Sequence, residues 1–185
     1  MKPILRKGTR ILRPDEYNIL RKKIKKHQKH RLDGLLLTGM RYIEAKRFQS
    51  NPDWLHHNGF IEMPPGASLK QEMQYKERTI RLSNLGEELV PLFLETKPLP
   101  SRQAWRENLR RWADYADLDP KGLSAKTTRK TWESWLVHCF PDHLTHIFQS
   151  QGHTEKTAVE HYISLPFGSE DRKKMKKWVQ GWIET

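Results

Sequence analysis

A chain of 185 residues with 36% hydrophobic and 10% aromatic residues can bury one substantial core, and its seven Trp argue against a disordered chain. The formal charge of +12 favours a polyanionic partner, nucleic acid first, because a basic surface gains counterion-release free energy on neutralising phosphates. The single cysteine, Cys139, excludes an internal disulfide; no apolar stretch nears the ~20 residues that span a bilayer, and the N-terminus lacks a signal-peptide core, so a soluble, cytoplasmic protein is expected.

The charge is uneven. Residues 1–31 hold twelve Lys or Arg against Asp15 and Glu16, and a second basic run spans residues 172–177. Pro14, followed by Asp15 and Glu16 and then Tyr17, Leu20 and Ile24, predicts a basic helix over about 14–29, its lysines facing solvent or nucleic acid. Leu32, Leu35 and Leu36 predict a short buried helix stopped at Thr38-Gly39, with glycine in the left-handed C-terminal position. Phe60–Met63 and Arg78–Leu82 read as two strands, the second with alternating polar and apolar residues, joined by a long connection. Asn84 with Glu87 three residues on predicts a capped helix to about Phe93. Ser101 caps a helix with Trp105, Leu109, Trp112 and Ala116 on its core face, and Ser124 caps the next, with Trp132, Leu136 and Cys139 inward. Further helices are expected at about 142–150, 154–163 and 169–182, the last amphipathic through Met175, Trp178 and Trp182. The fold class expected is α+β: mainly helical, with one small antiparallel sheet.

Three separated motifs carry chemistry. Thr38-Gly39-Met40-Arg41-Tyr42-Ile43-Glu44 stands near the N-terminus, Lys126-Thr127-Thr128-Arg129 opens a helix, and Gln151-Gly152-His153 is followed nine residues after the histidine by Tyr162. In this order and spacing they resemble the catalytic domain of the tyrosine recombinases, the phage-type integrases. The family's first box, T-G-x-R-x-x-E, is matched by Thr38, Gly39, Arg41 and Glu44. Its H-x-x-R box is matched at Arg129, with Lys126 in the histidine's place, and its G-H box and tyrosine by Gly152, His153 and Tyr162. The lysine at 126 and the run Glu160 to Phe167 look most like integrases of archaeal viruses and plasmids.

The resemblance implies that Tyr162 attacks a DNA phosphate, forms a 3′-phosphotyrosine linkage and releases a 5′-hydroxyl, and that a hydroxyl of the partner DNA later reseals the strand. A phosphodiester resists nucleophiles because its oxygens are anionic. Arg41 and Arg129 would neutralise charge gathering on those oxygens, the fork of each guanidinium suiting phosphate geometry, and His153 would add a hydrogen bond. A phenol of pKa near 10 attacks only when a base or nearby cations help remove its proton. The leaving oxygen needs a proton from a lysine between the two strands: Lys76 leads into the second strand, while Lys70 sits nearer the family's usual position and is preferred. Lys126 fits a phosphate clamp better than a base. Glu44 is expected to hold Arg41 or a neighbouring helix in place.

No cofactor or metal is expected. His138, Cys139, His143 and His146 have no familiar zinc spacing. The partners expected are double-stranded DNA and further copies of the chain, a monomer alone assembling as a tetramer on DNA, in a prokaryotic host and encoded by a virus or plasmid; no membrane is involved. The 185 residues read as a single catalytic domain, with nucleophile segment 154–167 and without the family's DNA-clamping N-terminal domain, so that DNA binding should be weak and strongly salt-dependent. The competing reading is a non-catalytic DNA-binding module, with helices 124–138 and 142–150 as a helix-turn-helix.

Overall fold

A computed structural model describes residues 2–67, 77–152 and 165–183. The segments holding Lys70, Lys76, His153, Tyr162 and the expected helix 154–163 lie outside the described residues.

The first elements are strands. β1 (Ile4–Arg6) and β2 (Thr9–Ile11) pair antiparallel, Ile4 opposite Ile11, around Lys7 and Gly8. This hairpin is additional to the sheet expected from the sequence. Its Arg10 is buried, donating to Glu16 Oε1 at 2.7 Å and to the Asp119 carbonyl at 2.6 Å.

The basic helix expected over 14–29 is two helices, α1 (Pro14–Lys22) and α2 (Lys26–Thr38). They bury against different partners, α1 on the C-terminal helix and α2 on α4 (Asn84–Leu94) and on α6 (Thr127–Cys139), so the chain turns at Lys23–Lys25, where Lys25 is extended. The bend is tied by Asp33 of α2, which accepts the Tyr17 hydroxyl at 2.7 Å and a forked pair from Arg21. Lys22, Lys23, Lys25 and Lys26 are exposed, as expected, whereas Arg10, Arg13, Arg21 and Arg31 are spent on internal partners.

α3 (Tyr42–Ser50) follows Gly39, and the expected sheet follows α3: β3 (Phe60–Met63) pairs antiparallel with β4 (Arg78–Arg81), Met63 opposite Arg78. α4 is capped one residue earlier than Asn84, by Ser83, whose Oγ accepts from Gly86 N. α2 and α4 pack closely because Gly34 faces Phe93; any Cβ there would collide with the ring. α5 (Arg102–Tyr115) is capped by Ser101, as expected.

α6 is the centre of the fold. It contacts β2, α2, α7 (Leu144–Gln151) and α8 (Ser169–Val179), and Trp132, Trp135 and Leu136 are wholly buried. Trp135 donates from Nε1 to the Leu12 carbonyl at 3.0 Å and meets Tyr17 edge-on, and Tyr17 also meets Trp178 of α8 edge-on at 5.1 Å. Such edge contacts contribute roughly 1 kcal/mol each beyond buried area. α8 therefore docks its apolar face, Met175, Trp178 and then Trp182, on its own chain, held also by Asp171 to Arg13 and Lys174 to Asp15. Among the described residues no helix is long and apolar enough to cross a membrane.

Candidate functional site

The site begins where α2 stops. Gly39 takes the left-handed conformation, φ 58°, and a Cβ there would collide with the Gln151 side-chain amide, so glycine is required twice over. Thr38 Oγ donates back to the Gly34 carbonyl at 2.7 Å, closing the last turn. Arg41, extended, is the N-cap of α3, and Glu44 at the third helical position accepts its backbone N–H at 2.8 Å. The other Glu44 oxygen accepts from Arg41 Nη1 at 2.8 Å. One carboxylate thus starts the helix and aims the guanidinium.

Arg129 enters from the first turn of α6, opened by Ser124 N donating to Thr127 Oγ1 at 3.0 Å. Its fork bridges two chain segments: Nη1 donates to the Gly39 carbonyl at 2.6 Å and Nη2 to the Gln151 carbonyl. Arg41 Nη2 reaches the next carbonyl, Gly152, at 3.4 Å. Both acceptors close α7, whose C-terminal carbonyls form the negative end of a helix and favour cations. The first and second motifs therefore meet at the two residues that lead into His153.

A third guanidinium completes the cluster. Arg78, the first residue of β4, is buried, pairs with Glu44 at 2.9 Å and also faces the Gln151 carbonyl at 3.4 Å. Sequence reasoning did not assign it to the site, although it shares the inward face of β4 with Ile80 and Leu82, where an arginine needs a buried partner. Gln151, which heads the third motif, was given no role of its own. Its backbone serves the arginines while its side-chain amide, fully buried, makes no hydrogen bond among the described residues.

Burial pushes the Glu44 carboxyl up, but Arg78, Arg129 and Arg41 together hold it at about 2. Burial lowers Arg129 to about 10, with Glu133 opposing and Arg41 and Arg78 adding to the fall. Arg129 still carries its charge at neutral pH. Three guanidiniums act on the Glu44 carboxylate, and Glu133 acts on Arg129, leaving a positive surplus suited to an anion.

Lys126 is the exposed N-cap of α6, one turn ahead of the buried Arg129. The i, i+3 spacing brings both to one end of the helix, with Lys126 outward and Arg129 inward. Among the described residues no three His, Cys, Asp or Glu side chains gather to hold a metal ion. His138 packs on Phe167, and burial raises the Cys139 thiol to about 11. A groove lined by Lys26, His27, His30, Arg31 and Lys97 lies at the other end of α2, away from this chemistry.

No protein-family model and no curated protein matches the sequence. Among solved structures, the fold matches the XerH site-specific recombinase, crystallised on a palindromic difH substrate as a post-cleavage complex, with a TM-score of 0.61 over 93% of this chain. The chain has the fold of that recombinase. Identity is 15%, and the chain spans about half, 52%, of the recombinase's length. The α+β fold expected from the predicted elements, mainly helical with a small antiparallel sheet, is borne out as the recombinase catalytic fold, with the β1–β2 hairpin in addition. At this identity the likeness speaks to the fold alone.

Proposed function

We propose that the protein is the catalytic domain of a tyrosine recombinase, a site-specific DNA strand transferase of the integrase kind. One observation carries the reading: Arg41 and Arg129, distant in sequence, converge on the Gly39, Gln151 and Gly152 carbonyls, so the first two motifs form one cationic site at the residues that open the third. A recombinase fold around that site adds to it.

In this reading the Arg41 and Arg129 guanidiniums take the oxygens of the scissile phosphate, where stabilisation of developing charge is worth most. Glu44 and Arg78 keep Arg41 and the Gln151 carbonyl in place. Tyr162 gives up its phenolic proton to a base or, eased by the nearby cations, to water; its oxygen attacks phosphorus, the bond to the 5′ oxygen breaks, and Lys70 or Lys76 protonates that oxygen. The phosphoester is conserved as a 3′-phosphotyrosine, so religation by a second DNA strand needs no ATP. His153 donates to the same phosphate and Lys126 grips a neighbouring one. DNA assembles the copies, four in the synaptic complex. The match of Lys126 and of the Glu160 to Phe167 run to integrases of archaeal viruses and plasmids points to a mobile element of a prokaryote.

The alternative, a non-catalytic helix-turn-helix module, needs α7 as the recognition helix. α7 exposes Thr145, His146 and Gln149 and no lysine or arginine, which fits DNA poorly. A nicked duplex that traps cleavage separates the readings: wild type should yield a protein–DNA adduct that survives denaturation and is absent with Tyr162→Phe. Retained DNA binding without any adduct on cognate sites would favour the module.

A further inference from the structure

The N-terminal hairpin is strained at its turn. Lys7 and Gly8 join the strands with φ values of 45° and 72°, a two-residue loop that Asn, Asp or Gly fills without strain and lysine does not. The hairpin is also no loose arm. Arg10 N donates to the Gly122 carbonyl at 2.8 Å and Leu12 N to Thr131 Oγ1 at 3.0 Å, fixing β2 and the residue after it on α6 and the loop that leads into it. Lys130 Nζ donates to the Arg6 carbonyl at 3.0 Å, fixing the end of β1.

This docking places the turn beside the start of α6. Lys7 and Lys126 are exposed and Lys130 half-buried. Burial lowers the proton affinity of Lys130, and the positive charges of Lys126 and Lys7 lower it further, with Glu133 opposing. The geometry agrees: Lys130 stands one turn from Lys126, its N–H donating to the Lys126 carbonyl at 3.0 Å, and its ammonium holds the carbonyl of Arg6, the residue before Lys7. Such clustering destabilises the free protein and is relieved when a polyanion neutralises it. The cluster lies at the same end of α6 as Arg129, since Lys126, Arg129 and Lys130 all belong to its first turn or cap.

We propose that Lys7, Lys126 and Lys130 form a patch for the phosphate backbone of duplex DNA, with the hairpin turn as its outer edge, holding the duplex beside the Arg41–Arg129 site. The patch deepens the recombinase reading and rests on it for the choice of DNA. It assigns the N-terminal hairpin to substrate binding.

Lys7→Asn tests it, because asparagine suits the turn while removing the charge. The variant should melt at the wild-type temperature or above, whereas the slope of log affinity against log salt for duplex DNA should shrink by about 1, one phosphate contact. Lys7→Arg should keep the wild-type slope. An unchanged slope in Lys7→Asn, or a loss shared by Lys7→Arg, overturns the proposal. The two readings fail separately: a reduced slope with no covalent adduct from wild type keeps the patch and removes the recombinase, and an adduct with an unchanged slope does the reverse.

Discussion

Glu44 and Arg78 form a buried ion pair, Arg78 Nη2 donating to Glu44 Oε2 at 2.9 Å, while the other Glu44 oxygen holds Arg41. Removing one member of a buried pair leaves the other uncompensated, at a cost of about 3–5 kcal/mol. Glu44→Gln should lose that much at pH 7 in urea unfolding. The acid limb follows from the carboxyl's pKa of about 2 against an ordinary 4.5. A carboxyl depressed in the folded state contributes stability that is complete above its unfolded pKa and is lost as pH falls toward its folded one. The window is therefore from about pH 4.5 down to 2, with about 3 kcal/mol at stake. In Glu44→Gln this part of the acid loss should be missing.

Arg129 bridges Gly39 and Gln151 through both terminal nitrogens, which a lysine cannot reproduce. Arg129→Lys keeps the charge and should lower stability by about 1–3 kcal/mol through the unmet carbonyls. Single-turnover cleavage should slow by roughly 100-fold or more, the scale of a lost transition-state donor. Near-wild-type cleavage would mean that charge alone suffices there.

Gly39→Ala meets both a left-handed backbone and the Gln151 amide, whereas Gly66→Ala meets only a positive φ in open space. The first should cost about 3 kcal/mol and the second about 1, combining backbone strain with overpacking. Equal thermal shifts would show that the Gln151 contact relaxes freely.

Much of this was legible because local chemistry and tertiary packing agree. Ser101 caps α5, Gly39 ends α2, and β3 and β4 pair as their alternation predicts. The hairpin was not legible: Lys7-Gly8 is a weak turn signal, and buried Arg10 reads as a solvated charge until Glu16 and Asp119 meet it. The break at Lys23–Lys25 carries no glycine or proline; it exists because α1 and α2 pack on different helices. In the site, Arg41, Glu44 and Arg129 were found through their motifs. Arg78 belongs through contacts across the fold, and Gln151, though it heads the third motif, has a role set by the arginines that reach its carbonyl, which spacing along the chain does not reveal.

Gln151 carries a buried amide with no hydrogen bond among the described residues. An unmet buried polar group costs about 1–3 kcal/mol, so Gln151→Leu should raise stability by about 1 kcal/mol while leaving the Gln151 carbonyl available to Arg129. A lower unfolding midpoint would show that the amide has a partner the free protein needs.

A tyrosine that attacks DNA beside this arginine cluster becomes covalently bonded to it. Proteolysis of the adduct trapped on nicked duplex, followed by mass spectrometry of the DNA-linked peptide, reads the attachment directly. A single linked peptide containing Tyr162, joined to a 3′ phosphate, is expected, with adduct yield lost in Arg129→Ala. Attachment at another residue, linkage to a 5′ phosphate, or an unchanged yield in Arg129→Ala would rule out Tyr162 as a nucleophile served by these arginines.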